Sequence, residues 1–363
     1  MDKKKLSATK KIAALLSVAV CVWATADKIS KADGTALLMQ VVGVEAASQE
    51  NEEIPKQQEV VQQQTDEPEG TAIPFLDADS IAPFIQDELP QLTETPDPNR
   101  NSNRVEEINV TDGMQVDNFR VKDTTGSGTD LAQELLNDPL VKLKCNSEIE
   151  VLIYHTHTTE SYMDSFSGFY YTDMETRTQN QEASVVAVGK EIKQELEKAG
   201  IGVIHDTEIN DAMYSGSYAR SWEVLQRNLS EHPSIQVTID VHRDSMTTAE
   251  GVKYKPTALV DGRKAAQVMI LAGCDANGGW GDFPNWRENL RFALRVQQKA
   301  SEMYPEMMRP LNFGNNKYNM NATTGSILVE VGTEVNTVSE ASYSGQLVGE
   351  VLAELLSKDL HGG

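Results

Sequence analysis

The chain has 363 residues and carries 55 Asp and Glu residues against 32 Lys and Arg residues, a formal net charge of −23 at pH 7. This length accommodates one large domain or two small ones with tails. The basic residues gather only at the extreme N-terminus, so no basic face for phosphate is visible, which argues against nucleic acid as a partner.

Residues 1–27 have the composition of an export segment. Five lysines precede an apolar run of 15 residues, Ile12 to Ala26. That run is short for a membrane-spanning helix, which needs roughly 20 residues. It ends in Ala24-Thr25-Ala26, the small-x-small pattern of a cleavage site. The segment is therefore a signal peptide or an uncleaved membrane anchor, and either reading predicts an extracytoplasmic protein.

Residues 28–114 predict an acidic low-complexity tether. From about Ala46 to Asn103 the sequence is rich in Glu, Gln, Pro, Asp and Thr, and apolar residues show no lasting period. Such a segment cannot bury enough apolar surface to offset the entropy of ordering, so we expect it to be largely disordered. The folded, catalytic domain is then predicted at residues 115–361.

Strands alternate with helices in the predicted domain. Ile149–Tyr154 reads as a buried strand, and Ser184–Ala199 has apolar residues at helical spacing, followed by Gly200 as a helix C-terminal residue. The other predicted elements are strands at 201–205, 235–242, 266–273 and 327–331 and helices at 217–233, 289–304 and 340–360. This order predicts an α/β fold with a mostly parallel or mixed central sheet of about six strands and helices on both faces.

Chemically active side chains lie at the ends of three predicted strands. The first strand is followed by His155 and His157, a later one ends in His242 and Arg243, and another contains Glu330. Because ligands gather outside the carboxyl ends of parallel strands, we expect these side chains to share one edge of the sheet. His155 and His157 point the same way in an extended chain, so spacing does not choose between them.

Zinc-assisted hydrolysis is the chemistry that this set favours. Glu182 opens the helix after the first strand, and two His with one carboxylate form a common catalytic zinc set. Zinc lowers the pKa of water to about 7 and polarises a carbonyl. A carboxylate outside the metal shell must carry the proton, and Glu330, costly to bury without a partner, is the candidate. Arg243 either pairs with Asp240 or Asp244 or holds a substrate carboxylate.

Other interpretations remain open at this stage. The histidines could be ordinary hydrogen-bonded loop residues, and Cys145 and Cys274 could form a disulfide. An amidohydrolase barrel needs eight βα units in about 250 residues, whereas this sequence predicts only five or six strands, which argues against such a barrel. A metallo-β-lactamase-like site would have Asp and His where this chain has Thr159 and Glu160.

Four motifs together resemble the stage II sporulation protein P family of endospore-forming bacteria, over roughly residues 115–356. They are YHTHTTESY, GSYARSWEVLQRNLSEHPSIQVTIDVHRDS, NWRENLRFAL and ILVEVGTEVNTVSEA. The family is similar to zinc-dependent N-acetylmuramoyl-L-alanine amidases, so the resemblance implies an amidase-like fold. It also implies cleavage of the amide between muramic acid and the first L-alanine of the stem peptide. A further activity on cross-links, and a task in septal thinning and engulfment, are implied as well.

The resemblance also assigns residues, a cofactor and partners. The implied Zn²⁺ ligands are His157, Glu182 and His242, and the implied catalytic residue is Glu330. Thr333 replaces an aromatic residue of the amidase pattern, and Met320 stands where relatives tend to carry Gln. Implied partners are peptidoglycan, the lytic transglycosylase called stage II sporulation protein D, and the membrane protein called stage II sporulation protein M. The implied location is the septal space between mother cell and forespore.

Two alternative functions belong to other classes. One is a scaffold that binds peptidoglycan without hydrolysing it, and the other is a zinc carboxypeptidase acting on the far end of the stem peptide. The bond that is cleaved, if any, distinguishes these two functions from that of an amidase.

Overall fold

The computed structural model describes residues 94–360 and the backbone of residues 81–83. The predicted export segment and most of the predicted tether lie outside the described residues. Within the described part of the chain, no helix combines the length and the apolar character needed to cross a membrane. Cys145 and Cys274 are both free thiols.

A mixed sheet of eight strands forms the centre of the fold. In spatial order the strands are β3 (Met114–Gln115), β4 (Arg120–Asp123), β12 (Leu311–Gly314), β11 (Val268–Gly273), β13 (Gly325–Thr333), β8 (Val237–Asp244), β5 (Ile149–Tyr154) and β7 (Gly202–His205). The strands from β13 to β7 are parallel to one another, whereas β11 is antiparallel to β13. The predicted strands are confirmed, and the central sheet is larger than expected.

A second, five-stranded sheet was not predicted from the sequence. It contains β1 (Ile81–Pro83), β2 (Ser102–Val110), β6 (Phe169–Tyr171), β9 (Lys253–Val260) and β10 (Arg263–Ala266). In β2 the side chains of Val105, Ile108 and Val110 are buried. The domain boundary predicted at residue 115 therefore lies inside the folded unit. The reason is that β2 is mostly polar and pairs with β9, a strand far away along the chain.

Five α-helices accompany the sheets in the described residues. They are α1 (Leu131–Leu136), α2 (Val185–Lys198), α3 (Ser217–Glu231), α4 (Trp286–Met303) and α5 (Val338–Glu354), with a 3₁₀ turn at Gln181–Ala183 and a π-helical turn at Leu355–Asp359. The Ser184 hydroxyl accepts from the Val186 N–H and caps α2. A capping box of Thr337 and Glu340 begins α5.

Side chains of β5 alternate between two hydrophobic clusters. Val151 and Ile153 belong to the main core, to which α2, α4 and α5 contribute. Leu152 and Tyr154 pack with Leu225 of α3 in a separate cluster. Because successive side chains of a strand point to opposite faces, helices cover both faces of the central sheet, as predicted.

Helices α2 and α5 approach closely at two glycines of α5. A Cβ atom on Gly345 would lie 2.7 Å from the Val188 carbonyl oxygen, and one on Gly349 would lie 2.7 Å from the Cβ of Glu195. A larger residue at either position would push the helices apart, because packed interiors have little free volume.

Gly345→Ala is therefore expected to lower the free energy of unfolding by about 1–3 kcal/mol, since the new methyl group meets backbone that cannot move aside. Urea unfolding followed by circular dichroism measures the change. The control is Ser342→Ala, a half-buried position on the same helix, which should change stability by less than about 0.5 kcal/mol. Equal effects of the two substitutions would contradict the role given to this contact.

Candidate active site

The ends of β5 and β8 bring His157 and His242 together. Their ring centroids are 5.4 Å apart and the rings are nearly perpendicular, at 86°. Both side chains are buried. Tyr154 lies opposite Asp240 in the parallel register of the two strands, so the residues that follow reach the same edge of the sheet.

Glu330 lies beside His242 on the neighbouring strand, as the register of β13 with β8 requires. Its Oε2 atom is buried and has no hydrogen-bond partner. Burial raises the pKa of Glu330 to about 8, and the carboxylates of Asp244 and Glu160 add to this, outweighing the opposite effect of His242 and Arg309. The carboxyl group is thus set to exchange a proton near neutral pH.

The imidazole of His242 lies between two carboxylates. Its Nε2 is 3.0 Å from Asp240 Oδ1, at an angle too poor for a hydrogen bond, and its Nδ1 is 3.5 Å from Glu160 Oε2. Burial alone lowers the pKa of His242, but the two carboxylates outweigh it and raise the pKa well above its ordinary value. Asp240 is held by Thr156, whose N–H and hydroxyl donate to it at 2.8 and 2.6 Å.

Glu160 is the site residue that the sequence did not single out as a ligand. Its carboxylate is buried, accepts the Arg243 backbone N–H at 3.1 Å and lies 3.9 Å from Arg177 Nη2. Burial opposes ionisation, but the charges of His242 and Arg243 outweigh it and hold the pKa of Glu160 well below its ordinary range. The available signal was its position three residues after His157, in the turn that leaves β5.

Aromatic rings enclose His157. Its ring stacks on Tyr214 with centroids 4.8 Å apart and meets Tyr218 edge-on at 5.8 Å. His157 Nδ1 is buried without a hydrogen-bond partner, 4.0 Å from Asp211 Oδ2. Burial lowers the pKa of His157 to about 3, despite the nearby Glu160 carboxylate. The ring is therefore neutral, which is the form that binds metals.

His155 is used elsewhere in the fold. Its Nδ1 lies 2.9 Å from the Val241 carbonyl oxygen and its Nε2 lies 2.8 Å from His205 Nε2, so both ring nitrogens are engaged. Burial lowers the pKa of His155 to about 4. Of the two histidines that spacing could not separate, His157 is the one beside His242.

Glu182 and Arg243 are placed differently from the other predicted site residues. The Glu182 side chain is 73% exposed and pairs with Lys190 at 3.0 Å, so its carboxylate faces solvent instead of the buried histidines. The Arg243 side chain is buried and donates to the carbonyl oxygens of Thr176 at 2.9 Å and Ser161 at 3.4 Å. The ligand role of Glu182 and the substrate role of Arg243 stay predictions.

Three buried polar atoms at this edge lack hydrogen-bond partners. They are His157 Nδ1, His242 Nε2 and Glu330 Oε2. Leaving such an atom unpaired costs about 1–3 kcal/mol, so a cluster of them is typical of a site for a ligand or an ion. Imidazole nitrogens and carboxylate oxygens are zinc donors, so the two histidines and the carboxylates around them have the chemistry that a divalent cation requires. Within residues 94–360, however, no three His, Cys, Asp or Glu side chains are already arranged as a complete metal site.

Comparison with known proteins defines the family. The sequence model described as "Stage II sporulation protein P (SpoIIP)" matches residues 37–353. The chain belongs to this family. The resemblance drawn from the four motifs is thereby confirmed, and the match begins well before residue 115.

The chain is also similar to individual proteins. It is 29% identical to the stage II sporulation protein P of Bacillus subtilis (strain 168) in an alignment of 217 residues that covers 56% of this chain and 50% of that relative. The chain thus spans about half the length of this curated relative.

Solved structures give weaker matches. The CwlD amidase of Clostridioides difficile, in complex with the GerS lipoprotein, has a TM-score of 0.36 and 9% identity over 57% of this chain and 96% of that one. The N-acetylmuramoyl-L-alanine amidase AmiC2 of Nostoc punctiforme has a TM-score of 0.32 and 14% identity over 58% of this chain and 97% of that one. These TM-scores are too low to define a common fold.

The raised pKa of Glu330 predicts a pH-dependent stability of the metal-free protein. Because the native state holds a proton that the unfolded chain releases near 4.5, the free energy of unfolding falls as the pH rises from about 4.5 towards about 8. Glu330→Gln removes this loss, so its melting temperature in excess chelator should exceed that of the wild type by several degrees at about pH 9 and by much less at about pH 5.

The control is Glu231→Gln, at an exposed position near the end of α3. Its melting temperature should differ from that of the wild type by the same small amount at both pH values. A gain for Glu330→Gln that is the same at both pH values would show that this carboxyl group titrates normally.

Proposed function

We propose that this chain is a zinc-dependent peptidoglycan hydrolase that cleaves the N-acetylmuramoyl-L-alanine amide bond during septal thinning and engulfment in endospore formation. The observation that carries the proposal is the cluster of His157, His242 and Glu330, in which one buried polar atom of each lacks a hydrogen-bond partner. Membership of the SpoIIP family supports a sporulation cell-wall hydrolase. Cleavage of stem-peptide cross-links is a second activity within the same proposal.

His157 and His242 are the proposed histidine ligands, and a carboxylate completes the set, which the family resemblance assigns to Glu182. When bound, zinc supplies a Lewis acid that activates water and polarises an amide carbonyl at neutral pH. The Asp240 carboxylate lies 3.0 Å from His242 Nε2 without a hydrogen bond. Tyr214 and Tyr218 cover His157 and keep bulk water away from its ring.

Glu330 is the proposed proton carrier. It accepts a proton from the attacking water and delivers it to the departing alanine nitrogen. Its unpaired Oε2 and its raised pKa suit a group that must both take and give a proton. Arg243 donates hydrogen bonds to the carbonyl oxygens of Ser161 and Thr176. We assign to Arg243 the role of orienting the stem peptide, by positioning these residues in the wall of the site.

The proposal includes location and partners. The lysine-rich apolar N-terminus supports export, with the chain anchored in the membrane or secreted into the septal space. The partners proposed from the family resemblance are the lytic transglycosylase stage II sporulation protein D and the membrane protein stage II sporulation protein M. A transglycosylase would cut the glycan strands from which this enzyme removes the stem peptides.

The substitutions His157→Ala, His242→Ala and Glu330→Gln are each expected to lower the rate of cleavage by at least about a hundredfold, because each removes a ligand or the proton carrier. The measurement is mass spectrometry of the products released from purified cell walls. His232→Ala, a histidine just after α3, is the control and should cleave like the wild type.

The products also decide between functions. Stem peptides with a free N-terminal alanine support the amidase. Release of the terminal amino acid alone would indicate a zinc carboxypeptidase, and tight binding with no product would indicate a scaffold. Full activity of purified His242→Ala would overturn the proposed metal site.

A further inference from the structure

We infer that Glu160, and not Glu182, is the carboxylate that completes the metal site with His157 and His242. The inference rests on the proposed function of this site and adds the identity of the third ligand.

Glu160 shares a tight turn with His157. The Glu160 N–H donates to the His157 carbonyl oxygen at 3.2 Å, so the two residues leave the end of β5 in one fixed turn. The Glu160 carbonyl oxygen in turn accepts the Val185 N–H at 2.9 Å. The carboxylate is anchored by the Arg243 N–H on Oε2. The backbone therefore holds this carboxylate beside His242, in the same turn as His157, before any ion arrives.

The spacing between Glu160 and His242 leaves room for a shared cation. Glu160 Oε2 and His242 Nδ1 are 3.5 Å apart. A charge-assisted hydrogen bond would bring such atoms to about 2.7–2.9 Å. Two ligands at about 2.0–2.2 Å from a tetrahedral zinc ion are about 3.3–3.5 Å apart. The observed separation matches the second arrangement and is too long for the first.

A second carboxylate lies near the other nitrogen of His242. Asp240 Oδ1 lies 3.0 Å from Nε2, and Asp240 is itself held by Thr156. Metal-bound histidines usually donate their second N–H to a carboxylate, which sets the tautomer and directs the free nitrogen at the metal. In His242, Nε2 faces the Asp240 carboxylate without a hydrogen bond and Nδ1 faces Glu160, so Nδ1 is the nitrogen placed to meet an ion beside Glu160.

Glu182 lacks these features. Its side chain is 73% exposed and both carboxylate oxygens lie within reach of Lys190 Nζ, at 3.0 and 3.2 Å. The neighbouring backbone is fixed, because the Ala183 carbonyl oxygen accepts the Tyr162 N–H at 3.1 Å. To join the histidines, Glu182 would have to leave Lys190 and give up its hydration while this backbone stays in place.

The test compares zinc binding by the full-length wild-type chain with that of Glu160→Gln and Glu182→Gln, matched substitutions that each remove one charge and keep the shape. Each protein is stripped with a chelator, and zinc is titrated in by calorimetry, with metal content checked after dialysis. Glu160→Gln should bind zinc more than about a hundredfold more weakly, because removal of an outer partner costs only about 10–100-fold. Glu182→Gln should bind within about twofold of the wild type.

Cobalt substitution keeps the inference testable if Glu160→Gln fails to fold. Glu160→Asp retains the charge, and its cobalt-loaded visible spectrum should differ from that of the wild type, because a displaced ligand changes the metal geometry. The spectrum of Glu182→Gln should match the wild type. Circular dichroism in chelator shows whether each variant is folded.

The outcomes separate the inference from the proposed function. If the wild-type chain binds no zinc, the proposed function loses its cofactor and the inference falls with it. If the wild type binds zinc and Glu160→Gln binds equally well, only the inference is overturned. A loss of zinc binding in Glu182→Gln would equally overturn it, in favour of the ligand set implied by the family resemblance.

Discussion

The candidate site depends on the parallel pairing of β5, β8 and β13 in one register. Glu330 lies opposite His242, and Tyr154 lies opposite Asp240. A slip of one residue in β8 would turn His242 to the other face of the sheet, because side chains alternate along a strand. The valines and isoleucine of β8 prevent this slip, since Val237, Ile239 and Val241 are fully buried in the main core. Apolar packing on one face thus fixes the positions of the polar groups on the other.

The same edge collects charges that are costly to bury. Burying an isolated charge is strongly unfavourable, and a buried pair recovers that cost only with good geometry. Asp240 meets this condition through the N–H and hydroxyl of Thr156, and Glu160 meets it through the Arg243 N–H. Glu330 does not, and its carboxyl group responds by holding a proton. Groups with pKa values pushed in opposite directions within one cluster are typical of acid–base chemistry.

The second sheet supports the end of β13 next to Glu330. The Thr333 hydroxyl donates to the Tyr254 carbonyl oxygen of β9 at 2.8 Å. Lys255 is fully buried and pairs with Glu107 of β2 at 2.8 Å and with Glu340 of α5 at 2.6 Å. Glu340 also closes the capping box that begins α5. One carboxylate therefore joins the second sheet to the helix that follows β13, which limits how far the strand end can move.

The sequence by itself determined the order of strands and helices, because apolar residues at periods of two and 3.6 record which faces are buried. It also placed His157, His242 and Glu330 at one edge, since parallel strands present their carboxyl ends together. Only the tertiary structure decided that β2 pairs with β9, because that pairing joins segments distant along the chain and leaves no local period. Only the tertiary structure separated Glu160 from Glu182. Both carboxylates lie between β5 and α2, but the direction of a side chain depends on the turn that carries it. One turn buries the Glu160 carboxylate against His242, and the other exposes the Glu182 carboxylate beside Lys190.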